Sequence, residues 1–152
     1  MAVVQEEQII RRYDGDGAWS ETEVRPYKND GNIFKDVTRQ NLFDTPELSC
    51  QWRYFEVGPG GHSTLERHEH VHAVMIVRGR GRVLVGAHVS PLDLYDLVYI
   101  PSLTWHQFRA DEDAPLGFLC LVNHDRDRPP LPSEADLAAL RAHDAVAEFI
   151  RV

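Results

Sequence analysis

Residues 66–74 read ERHEHVHAV and set Glu66, His68, His70 and His72 on alternate positions, just ahead of an apolar run. In an extended strand that spacing directs all four side chains to one face. Imidazole and carboxylate donors bind Fe, Mn, Ni, Cu and Zn, and the donor types alone do not select among these ions. A hydrated strand end has the same pattern, so geometry has to decide. Residues two apart sit roughly 6.6 Å apart along a strand and residues four apart roughly 13 Å. Ligands to one ion must converge within about 2.0–2.2 Å of it. A straight strand therefore supplies two of these donors. A third requires a turn inside the segment, and a further ligand must come from elsewhere in the chain. His106, within IPSLTWHQF (100–108), is that outside donor. His62, His88 and His124 lie beside turn or charged residues and are expected at the surface.

The elements that position these donors are short strands. SCQWRYFEV (49–57), AVMIVRG (73–79), GRVLVG (81–86), DLVYIP (96–101), WHQFRA (105–110) and GFLCLVN (117–123) are apolar runs rich in β-branched and aromatic residues, punctuated by PGG (59–61), GRG (79–81) and SPLD (90–93). Many short strands with no helical period between them predict an all-β, antiparallel barrel or sandwich. The tail PPLPSEADLAALRAHDAVAEFI differs: Ser133 is an N-cap with acidic residues in the first turn, Leu137 and Leu140 form an apolar stripe with Leu131 beside it, and His143–Asp144 mark a break before a second helical turn. The chain divides into an N-terminal arm (1–35), a barrel (36–125) and a helical tail packing on the barrel (126–152). YKNDGN (27–32) is a turn signal within the arm.

With these residues in view, the segment from about Gly58 to His106 resembles a single-domain cupin of the cupin 2 type, an antiparallel β-barrel of the jelly-roll kind. The second cupin motif is matched by Pro101 to His106, with Leu103 where the family has glycine, and Tyr95-Asp96 stands where Gly-Asp is common. The first motif can be laid down in two ways. An ungapped count from Gly60 to Gly79 uses Glu66, His68 and His72, and leaves 69–71 as a turn; matching RHEH directly uses His68 and His70 with a shortened turn before His72. Both keep His68, His72 and His106, and one of Glu66 and His70 is left outside the ligand set. The resemblance implies a divalent transition metal (Fe, Mn, Ni, Cu or Zn) in the barrel mouth. It also implies a small organic ligand there and a homodimer formed through edge strands and the N-terminal segment. Arg53, Tyr54, Met75, Trp105 and Phe108 lie on suitable strands to line the pocket. Two functions follow by analogy with the family: a metal-dependent enzyme, with dioxygenase-like chemistry foremost and isomerase or lyase chemistry beside it, or a non-catalytic binding or sensing module.

Bulk composition narrows the classes. The 152 residues carry 24 acidic against 16 basic side chains, a formal charge of −8, which disfavours nucleic acid. No apolar stretch approaches the ~20 residues that span a bilayer, and Glu6 and Glu7 interrupt the N-terminus where a secretory signal needs its apolar centre. Cys50 and Cys120 sit far apart in apolar segments and are expected as buried, unpaired thiols in a reducing cytoplasm.

Overall fold

The computed structural model describes residues 9–27 and 33–152. The chain forms β1 (Arg25–Pro26), β2 (Lys35–Asp44), β3 (Cys50–His62), β4 (His72–Gly79), β5 (Gly81–Val85), β6 (His88–Leu92), β7 (Leu97–Ile100), β8 (His106–Ala110) and β9 (Leu116–Asn123), followed by helices α1 (Glu134–Arg141) and α2 (Asp144–Phe149). Most of the turn expected at YKNDGN falls outside the described residues. The strands run β6-β5-β8-β3-β9-β4-β7, with β2 on β3 and β1 on β2, and every pairing is antiparallel.

The sheet curls because β3 belongs to both of its halves. Residues 50–57 pair with β9, whereas His62 pairs with Arg109 of β8. Between them lies the PGG segment, predicted as a break between strands but found inside β3 as a corner. Gly60 there has φ +68°, and a Cβ on Gly61 would strike the Lys35 and Gly58 carbonyl oxygens. Three strands were not legible in the sequence, and β1, at two residues, is too short to leave a signal. β2 (KDVTRQNLFD) has too few apolar residues to signal a strand, and β6 (HVSPL) contains Pro91, which is tolerated because β6 is an edge strand.

Alternation then sorts side chains to two faces. Val37, Phe55, Val57, Val74, Ile76, Phe108, Leu116, Phe118, Cys120 and Val122 point inward and form the main core. The rings of Phe55, Phe118 and Phe108 stack in sequence, 5.5 and 4.3 Å between centroids. A second core lies outside β5 and β8, where Leu65, Leu84 and Trp105 meet Leu140, Val146, Phe149 and Ile150 of the tail. Ser133 caps α1 in a full capping box with Asp136, as its sequence signals. Leu140 is buried, whereas Leu131 is 56% exposed rather than packed beside it. The tail is tied to β8 by polar bonds as well. Gln107 donates to the Ser63 and Arg151 carbonyls and accepts from the Arg151 N–H, and Arg109 donates to the Phe149 carbonyl. These bonds fix the strand that carries His106.

The outer face of the other half is covered in part by the N-terminal segment. Trp19 packs edge-on against Tyr54 at 4.9 Å. The buried Gln40 amide donates to the Gly17 carbonyl and accepts from the Trp19 N–H and the Thr22 hydroxyl. Beyond that cover, a row of side chains remains open: Tyr99, Ala73, Leu121, Trp52 and Phe43 oppose one another across five strands.

Both positions where glycine is replaced in the cupin pattern keep a left-handed backbone: Tyr95 has φ +71° and Leu103 φ +55°. Such a conformation costs an L-residue roughly 1–2 kcal/mol, part of which glycine returns through its greater unfolded-state entropy. Both side chains are mostly exposed, so little packing is lost on truncation. Tyr95→Gly and Leu103→Gly are each expected to raise the melting temperature, by roughly 2–4 °C for a net gain of about 1 kcal/mol. Thermal unfolding by circular dichroism checks this, and a fall of similar size in either variant contradicts it.

Candidate metal and substrate site

The segment leading into β4 bends at Glu69–His70. The bend removes the separation that a straight strand imposes, and His68 and His72 end with their Nε2 atoms 3.1 Å apart. Two ligands about 2.1 Å from one ion stand roughly 3.0–3.4 Å apart at octahedral or tetrahedral angles, so this spacing suits adjacent coordination positions. His106 arrives from β8. It is set by a two-bond backbone bridge with Glu66, at 3.2 and 3.0 Å. All three histidines are buried, and one donor atom from each lies within 4.8 Å of the others.

The second nitrogen of each ring is engaged. His68 Nδ1 faces the His70 carbonyl at 3.2 Å, His106 Nδ1 faces the Thr104 carbonyl at 2.9 Å, and His72 Nδ1 faces Cys120 Sγ at 3.0 Å. Such partners fix ring orientation and leave the Nε2 atoms for a common centre. The His68 carbonyl also accepts the Leu103 N–H at 2.7 Å, which ties the left-handed turn before His106 to the bend before His72. Burial, followed by the neighbouring His106 and His68, pushes His72 far below the ordinary imidazole range. Burial lowers His106 to about 4, against the opposing pull of the Thr104 carbonyl and Glu66. Neutral imidazole is the metal-binding form, so the donor set fits a divalent transition ion.

The two residues competing for the fourth position are placed differently. Glu66 Oε1 is 3.8 Å from His68 Nε2 and accepts the Tyr27 hydroxyl at 3.1 Å. The His70 ring stacks on His68 at 3.8 Å, and its Nδ1 is held 2.8 Å from Asp127 Oδ1. Burial raises the Asp127 carboxyl, but donors from Glu69 and His70 outweigh it and pull it down to about 2.

A cavity of about 170 Å³ opens beside the histidines, lined also by Tyr27, Arg39, Arg53, Phe55, Ser63, Phe108, Phe118, Cys120 and Arg126. Of the expected pocket residues, Arg53 and Phe108 line it. Tyr54, Met75 and Trp105 do not, each for reasons of strand parity. Tyr54 follows inward Arg53 and lies under Trp19, Met75 lies between inward Val74 and Ile76 on the open face, and Trp105 precedes His106 and joins the outer core beneath the Arg67 guanidinium. His124, expected at the surface, is half-exposed there and pairs with Asp44 at 3.3 Å.

Cys120, Tyr27, Arg39 and Arg126 were not singled out from sequence. Cys120 shares the parity of Phe118 and Val122, which gave a signal for an inward thiol but none for its histidine neighbour. Both cysteines are unpaired, and Cys120 is buried as expected whereas Cys50, at the start of β3, is only partly so. Burial raises the Cys120 thiol, and the Arg53 guanidinium, with Nη2 at 3.9 Å, works against that rise.

The profile of the cupin domain family matches residues 53–122. The chain is 53% identical over 151 residues to a 1-methylthio-D-xylulose 5-phosphate methylsulfurylase of Rhodospirillum rubrum, covering 99% of this chain and 97% of that protein. The crystal structure of a cupin 2 conserved barrel domain protein from Rhodopseudomonas palustris superposes with a TM-score of 0.90 at 55% identity, over 94% of this chain and 99% of the other. A cupin 2 domain-containing protein from Halorhodospira halophila gives 0.72 at 44% identity, over 90% and 92%.

In the metal-free protein the buried neutral histidines bind fewer protons than the unfolded chain at acid pH. Stability is therefore expected to fall as pH drops from about 6.5 towards about 4, the His106 window. Each such histidine contributes a slope of about 1.4 kcal/mol per pH unit. Urea unfolding across that range should give a shallower slope in His106→Gln than in the parent protein. Identical slopes would contradict a neutral, buried His106.

Proposed function

The chain belongs to the cupin 2 family, and from that premise we propose that it is a metal-dependent enzyme that moves a methylsulfanyl group from a 1-methylthio-ketose phosphate to Cys120 and then to an external thiol. The observation that carries this reading is a thiol inside the cavity, 3.0 Å from an imidazole of the histidine cluster. The name borne by the 53% identical relative supports it, because that name describes chemistry at sulfur on such a substrate. His68, His72 and His106 are the proposed ligands, with Glu66 rather than His70 as the fourth, since the His70 ring lies parallel on His68 with 10° between planes and stacked parallel rings do not aim their nitrogens at one point. When bound, the ion supplies Lewis-acid polarisation of the substrate carbonyl oxygen.

The chain's own residues account for the rest. A neutral His72 that ligates through Nε2 carries its proton on Nδ1, so that N–H donates to Cys120 Sγ. That bond and the Arg53 cation favour the thiolate, the nucleophilic form, which burial alone would suppress. The thiolate attacks the methylsulfanyl sulfur, an S–S bond forms and the C–S bond breaks. The released electron pair passes to carbon 1 as an enolate conjugated with the adjacent carbonyl, and protonation of that carbon completes the reduced sugar. Cys120 is thereby oxidised to a methyl disulfide, and an external thiol restores it. Tyr27 donates its hydroxyl to Glu66 and so holds that carboxylate at the cluster. We favour this over dioxygenase-like chemistry because an oxidisable thiol abuts the metal cluster itself. It is favoured over a binding module because neither a nucleophile nor its hydrogen-bonding histidine is needed for binding alone.

The partner is proposed to be a second copy, through the open face where Leu97 and Tyr99 are 74% and 63% exposed beside Met75 and Trp52. Burying such a row suits an apolar interface. A cytoplasmic setting, where the two unpaired thiols stay reduced, belongs to the same proposal.

The test is turnover of 1-methylthio-D-xylulose 5-phosphate in the presence of a low-molecular-weight thiol, with metal content measured on the same samples. Cys120→Ser is expected to lose at least about a thousandfold in rate and keep its metal, whereas His106→Ala loses both. Undiminished turnover in Cys120→Ser would overturn the assignment. Sedimentation of the parent protein should give a dimer and Tyr99→Glu a monomer; a monomeric parent removes the second-copy proposal.

A further inference from the structure

The net charge of −8 makes the cationic lining of the cavity unexpected. Arg39 of β2, Arg53 of β3 and Arg126, in the segment after β9, all reach the same cavity. Among the described residues, no ion pair joins any of the three to a carboxylate at hydrogen-bonding distance. The two acidic groups of the cavity are engaged elsewhere, Glu66 with Tyr27 and Asp127 with His70. Arg53 is 8% exposed, and its buried Nε has no hydrogen-bond partner. Its guanidinium is held over the Phe55 ring at 5.0 Å. Arg126 is anchored through Nη1 to the Asn123 and His124 carbonyls. Burial lowers both Arg39 and Arg126, and their mutual repulsion with Arg53 adds to it.

Three like charges converging on one cavity, none of them paired with a carboxylate among the described residues, are costly in an empty protein and favourable around a dianion. Guanidinium forks match the oxygens of a phosphate monoester, which a carboxylate or a neutral sugar cannot fully engage. We propose that Arg39, Arg53 and Arg126 form the subsite that holds the substrate's phosphate monoester and thereby fixes which end of the sugar faces Cys120. This rests on the reading that the substrate is a ketose phosphate. It adds the residues that select for it.

The experiment is isothermal titration with D-xylulose 5-phosphate, which lacks the methylthio group, against D-xylulose. The ester is expected to bind at least about tenfold more tightly, with sulfate displacing it competitively and acetate at equal concentration failing to do so. Arg39→Gln and Arg126→Gln, both at half-buried positions, should each weaken the ester about tenfold and leave the neutral sugar unchanged. Arg53→Lys, which keeps the charge and loses the fork, should weaken the ester as well. Melting curves confirm that each variant is folded. Equal affinity for ester and neutral sugar, equal competition by acetate, or unaltered ester binding in the two glutamine variants would overturn the subsite. The ligand carries no transferable sulfur, so the outcomes separate. Arginine-dependent ester binding without methylsulfanyl transfer leaves the subsite standing and removes the proposed reaction, and transfer with no preference for the ester does the reverse.

Discussion

Imidazoles pack within 3–5 Å of one another only when the site does not oblige them to be charged, and this constraint organises the molecule around His68, His72 and His106. Two of the three sit where burial drives the ring to its neutral form. The Nε2 atoms can then share a volume that would otherwise hold repelling cations. A divalent ion turns that arrangement from tolerated to favourable, since neutral nitrogen donors are its ligands.

Most of the surrounding architecture reads as support for that convergence. The bend at Glu69–His70 draws His68 and His72 together, and the His68 carbonyl is pinned by the Leu103 N–H. His106 belongs to a strand clamped on its outer side by the C-terminal helices and on its backbone by Glu66. The Gly60–Gly61 corner lets β3 serve both halves of the sheet, so Arg53 and Cys120 of neighbouring strands face the same interior as the histidines. Cavity polarity follows from this arrangement: the Cys120 thiol lies between His72 and Arg53, and the histidines, arginines and phenylalanines share one lining.

What the sequence disclosed and what it concealed have physical reasons. The six apolar strands and the capped tail were legible because alternation, turn residues and the Ser133–Asp136 box are local signals. The glycine replacements at Tyr95 and Leu103 weakened the cupin pattern in sequence, yet the backbone keeps the left-handed conformation at both. β2 was hidden because its stabilisation comes from pairing with β3 and from the Gln40 bonds to the N-terminal segment, not from its own apolar content. Parity of the 49–57 strand was undecidable because aromatic residues occur on both faces, Phe55 in the core and Trp52 and Tyr54 opposite, with Tyr54 buried beneath Trp19 and Trp52 exposed. That ambiguity put Tyr54 on the wrong face, and the missing strand concealed Arg39. Cys120 was legible as a buried thiol, but its contact with His72 joins residues 48 positions apart and has no local trace.

The proposed chemistry requires that Cys120 itself receive the methylsulfanyl sulfur. The most direct measurement is intact-protein and peptide mass spectrometry of the metal-loaded protein, mixed with 1-methylthio-D-xylulose 5-phosphate and no added thiol, then quenched in acid. The peptide containing Cys120 is expected to gain the mass of one methylsulfanyl group in place of a hydrogen, and to lose it on addition of a thiol. Consumption of the substrate with an unmodified Cys120 would contradict the proposed chemistry.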